Sequence, residues 1–278
     1  MIPATLTRLF TDTHVSTDRT GWKVTGRRVL RSEWSKFWSL RSSWITLAVS
    51  VAVLIAFGVI AAALYRPTAV GPGDATAIDA VSLALTGTSM AGLIVGVLGV
   101  LMSAGEYGTG MVRSTYAAVP RRALVLASKS AVIGSLVLVL ATIGALVAFG
   151  LGTVGLHGER IALALSDDGV LRSLAGAGVY LALFAMLGVA LGSLVRSTSG
   201  SIAALVGIVM LLPGLAAVLP GDLQDSLDPY FPGNAGAAVY SLHTASGSLS
   251  PGAGFVVFAG WVALALAAAA IRLKRTDV

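Results

Sequence analysis

Cysteine is absent from all 278 residues, and charged side chains make up only 12% of them. The first absence excludes disulfide stapling and thiolate metal sites. The second leaves about half the charge fraction of a soluble domain. Histidine stands at three isolated positions, His14, His157 and His243. None has metal-ligand spacing, so each reads as a loop or interface residue. A nucleotide-binding P-loop is also missing, because Lys23, Lys36, Lys129 and Lys274 follow Trp, Ser, Ser and Leu. A P-loop lysine follows glycine and precedes Ser or Thr. The first 40 residues are polar and basic, with no apolar core near Met1 and no small-residue cleavage pattern, and so do not read as a signal peptide.

What the chain has instead is long uncharged runs. Residues 42–65, 80–105, 130–158, 173–195 and 197–221 contain no Asp, Glu, Lys or Arg, and a sixth apolar block covers 255–271. A helix of about 20 apolar residues crosses the roughly 30 Å hydrocarbon core of a bilayer. The pattern predicts an all-α membrane protein with six transmembrane helices, at about 44–65, 80–103, 131–152, 174–195, 201–219 and 254–271. The fifth is interrupted by Pro213-Gly214. Little is left over for a separate soluble domain of about 100 residues.

The charges orient the spans. With residues 1–41 inside, 16 of the 19 basic residues fall on inner segments and only Arg66, Arg160 and Arg172 outside, against 8 of the 13 acids outside. Lys and Arg bias sets topology, so both termini read as cytoplasmic. A pI near 10 then reflects topology and lipid contact rather than a nucleic-acid face. The predicted membrane centres hold no ionisable residue, which argues against a proton-coupled relay and for an amphipathic or lipophilic cargo.

Two polar segments carry more detail. Residues 1–26 read as a cytoplasmic tail. Residues 27–41 cluster Leu30, Trp34, Phe37, Trp38 and Leu40 near one helical side, with Arg41 and other cations largely elsewhere. An apolar aromatic face backed by cations describes a helix lying in the membrane interface. An inward continuation of the first span, or a helix packed on a soluble partner, gives the same pattern. Residues 106–122, EYGTGMVRSTYAAVPRR, are too polar for lipid. Gly108-Thr109-Gly110 signals a turn and helix start with Thr109 as N-cap. Met111, Val112, Tyr116 and Val119 supply apolar contacts, and Pro120 stops the helix. The prediction is a short amphipathic helix pinned between spans two and three. An ordinary loop whose charges only satisfy topology explains the composition equally well. The small-xxx-small pairs Gly92/Gly96 and Gly188/Gly192 read as bundle packing.

In this order, Ser32-Glu33-x-x-Lys36, Ser39-Leu40-Arg41-Ser42, Glu106, Gly108, Thr109, Arg113, Pro120 and Arg121 resemble the ABC transporter type 2 permease family, actinobacterial members in particular. Gly108 stands one residue closer to Glu106 than in the family's pattern. The resemblance covers nearly the whole chain and implies the fold shared by the G-subfamily drug and sterol exporters. Residues 27–278 would then form one permease domain, with an elbow helix (27–41), a coupling segment (106–122) and re-entrant helices in 222–253. It further implies a separate ATP-binding subunit that holds ATP and Mg, no cofactor in this chain, and a second permease copy or homologue. Glu106, Gly108, Thr109, Met111, Arg113, Tyr116, Pro120 and Arg121 would couple to that ATPase. Thr86, Ser89, Met90, Leu205 and Met210 would line a substrate cavity, where ordinary helix packing explains them as well. A secondary transporter or channel, and a non-transporting membrane anchor or signalling partner, are the other classes open to the sequence.

Overall fold

A computed structural model describes residues 25–66, 79–156, 161–212, 214, 218, 220–245 and 247–275. Most of the N-terminal tail with His14, the breakers Pro67, Gly71, Pro72 and Gly73, and His157 and Pro213 lie outside the described residues. The described chain is helical throughout. In order it forms α1 (Gly26–Ser39), α2 (Arg41–Ala63), α3 (Ala80–Ala84), α4 (Thr88–Gly108), α5 (Met111–Ala118), α6 (Arg122–Gly155), α7 (Val170–Val195), α8 (Thr198–Val206), α9 (Gly221–Leu227), α10 (Pro232–Tyr240) and α11 (Pro251–Arg275).

Five of these stretches are long and apolar enough to cross a membrane: α2, α3–α4 taken together, α6, α7 and α11. The fifth predicted span is shorter than expected in its described part. There α8 passes into a π turn at Gly207–Leu211. Residues 198–211 reach only about 21 Å at about 1.5 Å per residue, against the roughly 30 Å of hydrocarbon. The rest of that span, with residues 213, 215–217 and 219, lies outside the described residues. The second span is broken by a turn at residues 85–87 after a capping box between Asp79 and Ser82. The third begins nine residues before the uncharged window predicted, so its first turns carry Lys129.

α7 forms the centre of the bundle, packed by α4, α6, α10 and α11. Its crossing with α4 is made of small residues. A Cβ on Gly188 would overlap the Gly96 carbonyl, and one on Gly99 would overlap that of Ala185. The predicted glycine pairs therefore serve contact within the chain, where backbones must meet directly. Beside this crossing, the rings of Tyr180 and Phe258 (5.4 Å) and of Tyr180 and Tyr240 (5.3 Å) close the core.

The segment from Asp228 to Tyr240 lies along α11. The indole N–H of Trp261 donates to the Tyr230 carbonyl at 3.0 Å. Trp261 stands ten residues into α11, about 15 Å from its start. From that depth α10 climbs back, and Arg172 at the head of α7 donates to the Ser241 and Leu242 carbonyls at its end.

The two ends of the bundle differ in charge. One gathers α1, the start of α2, α5, the last turns of α4, α7 and α11, and the first turns of α6, with Arg27, Arg28, Arg31, Lys36, Arg41, Arg113, Arg121, Arg122, Lys129, Arg196, Arg272, Lys274 and Arg275. The described part of the other end holds Arg66 and Arg172.

Candidate functional site

At the basic end, four charged side chains from three helices meet behind α5. Burial is nearly complete for Glu33 (2% exposed), Lys129 (4%) and Glu106 (8%). Lys129 Nζ donates to Glu33 Oε2 and to Glu106 Oε1, both at 2.7 Å. Lys36 Nζ donates to Glu33 Oε1 at 2.8 Å, to Glu106 Oε1 at 3.1 Å and to the Thr115 hydroxyl at 3.3 Å. Each carboxylate thus touches both ammonium groups, and Thr115 adds α5 to the cluster. Glu33 comes from α1, Glu106 from the last turn of α4 and Lys129 from α6.

Each helix delivers its charge for a local reason. In α1, Val29, Glu33 and Phe37 are buried while Leu30, Trp34 and Trp38 are exposed. The expected single aromatic face is therefore divided: Phe37 turns into the protein together with a carboxylate, and Arg41 opens α2. An extended Leu40 separates the two helices. In α6, Lys129 lies among buried Val125, Leu126, Val132 and Ile133. A buried charge costs several kcal/mol unless paired, so the four residues demand one another. Burial works against the charge on Glu33, but Lys129 and Lys36 outweigh it and hold the carboxyl below its ordinary range. Burial likewise opposes the charge on Lys36, while Glu33 and Glu106 hold its ammonium above its ordinary range.

α5 is set off by a glycine in the left-handed region. Gly110, at φ +74, is the N-cap, a position where an L side chain is strained. This corrects the expected cap: the Thr109 hydroxyl instead turns back to the Gly105 carbonyl at 3.1 Å. Gly108 ends α4. Val112 faces inward, while Met111, Arg113, Ser114, Ala117 and Ala118 are exposed, as are Pro120 and Arg121 beyond the helix. Tyr116 is half-buried, its hydroxyl 3.3 Å from that of Tyr107. Burial, reinforced by Tyr107, raises its pKa. Arg122 stacks over the Tyr116 ring and Arg196 over the Tyr107 ring, each at 5.4 Å. Arg196 ends α7 at φ +63, and its buried Nε and Nη2 have no hydrogen-bond partner among the described residues.

The predicted coupling residues therefore separate into two groups. Glu106 and Tyr116 bind the helix to the bundle, and Met111, Arg113, Pro120 and Arg121 are presented outward. The predicted cavity residues do not gather so clearly. Leu205 is buried against Gly96, while Thr86, Ser89, Met90 and Met210 are exposed.

No protein-family model matches the sequence, and no curated protein does.

Proposed function

We propose that this chain is the permease subunit of an ATP-driven exporter, working as one of two permease copies with a separate ATP-binding subunit at its basic, cytoplasmic end. In this reading α1 is the elbow helix, α5 is the coupling helix, and 198–219 completes a sixth span of the cytoplasmic membrane. The observation that carries it is the buried cluster Glu33–Lys36–Glu106–Lys129 behind an exposed α5. A push on α5 acts through Thr115 and Glu106 on α1, α4 and α6 together, because no helix can leave the cluster without exposing a charge to a poorly hydrated interior. Arg113 and Met111 are the outward contacts for the ATPase, and Glu106 is a positioning residue behind them.

The test uses the whole chain purified in mild detergent with its co-purifying partners and reconstituted in liposomes. A nucleotide-hydrolysing chain should accompany it. Arg113→Ala should lower ATP hydrolysis several-fold while thermal stability stays unchanged. Full hydrolysis in that variant, or purification without any nucleotide-hydrolysing partner, would refute the assignment.

A further inference from the structure

A second feature of the basic end is a groove of about 670 Å³ between the start of α6 and the last turn of α11. Among the described residues its polar wall is wholly cationic: Arg121, Arg122 and Lys274 line it, and no acid does. Its apolar wall is Ala123, Leu124 and Leu273. Arg122 is fixed there, donating to the Leu273 carbonyl at 3.1 Å, whereas Arg121 and Lys274 are exposed. α6 begins without a side-chain cap, so its first-turn N–H groups add positive potential on the same side.

We propose that this groove seats the headgroup of an anionic phospholipid from the leaflet at the basic end. α6 and α11 are both candidate membrane spans, and the groove lies at the charged ends of the two, beside Arg122 and Lys274. That height matches a phosphodiester to the three cations and the first acyl carbons to the partly exposed Leu124, Leu273 being buried beneath. Exposed Ile271 continues the apolar surface along α11 toward the bilayer. A zwitterionic headgroup would bring its own ammonium among three cations, so the groove discriminates in favour of phosphatidylglycerol-type lipids. An acidic protein segment satisfies the charges but leaves the apolar wall unused. The inference needs only a leaflet at this end, and so stands or falls separately from the exporter reading.

The full-length chain in mild detergent, titrated with phosphatidylglycerol or phosphatidylcholine and read by native mass spectrometry, tests it. Arg121→Gln with Lys274→Gln should weaken phosphatidylglycerol binding about thirtyfold and abolish its preference over phosphatidylcholine, at about 1 kcal/mol for each cation near the surface. Lys274→Gln alone should weaken it about fivefold, which keeps the test open should the double variant fold poorly. Arg27→Gln with Arg31→Gln removes the same charge from exposed positions of α1 and should change affinity less than about twofold. Equal losses in both double variants would mean a diffuse field and overturn the site. So would undiminished lipid binding, with or without loss of a protein partner.

Discussion

Among individual residues, Lys129 has the largest consequence, because two buried carboxylates depend on it. Lys129→Met leaves Glu33 and Glu106 sharing only the partly exposed Lys36. The expected loss is about 3–5 kcal/mol, the range for removing one partner of a buried ion pair. Adding Glu33→Gln leaves the Lys36–Glu106 pair intact and should recover part of that loss. Thermal melting of the single and double variants in detergent measures both, and equal melting of Lys129→Met and wild type would contradict the burial. The pH dependence follows from the shifts on Glu33 and Lys36. Glu33 is lowered from an ordinary 4.5, so its contribution holds above that pH and drains as acid carries it through the folded value. Lys36 is raised from 10.5, so its contribution holds below that pH and is lost as alkali passes the folded value. Stability attributable to Glu33 and Lys36 should be flat from about pH 5 to 10, and Glu33→Gln should weaken the acid limb of the melting curve. Glu106 is legible as a singular residue in the sequence. Lys129 is not, because a basic residue beside an apolar run reads first as a topology signal. The hint lay in Val29 and Phe37, which place Glu33 on an apolar stripe where a carboxylate needs a cation.

For whole elements, the α4–α7 crossing is the least forgiving. Gly188→Ala forces a methyl into the Gly96 carbonyl and should cost at least the upper part of the about 1–3 kcal/mol typical of overpacking. Gly105→Ala meets nothing within 4 Å in the same α4 and should be neutral or slightly stabilising. Comparing melting temperatures of the two variants separates tight packing from helix propensity. The positions of five long helices followed from uncharged length, because that length is what the bilayer selects. Helix ends did not. α6 starts early because its first turns pack against α1 and α11, so charge no longer marks the boundary. At the break over residues 85–87, Gly87 packs directly on the Leu54 backbone of α2, a contact that hydropathy along the chain does not encode.

Over the whole molecule, the absence of cysteine makes orientation directly measurable. Ser114→Cys on α5 and Ser248→Cys before α11 place single exposed thiols at opposite ends. In intact cells an impermeant maleimide should label Ser248→Cys at once and Ser114→Cys only after permeabilisation. The reverse pattern would put α5 outside the cell and remove the basis for ATPase coupling. The buried cluster also has a consequence for energetics. Its two carboxylates and two ammonium groups sum to zero, so shifting it as one body carries no gating charge through the transmembrane field. Moving an isolated elementary charge through that field is worth about 2.3 kcal/mol per 100 mV. A rigid shift of the cluster itself would therefore couple little to voltage.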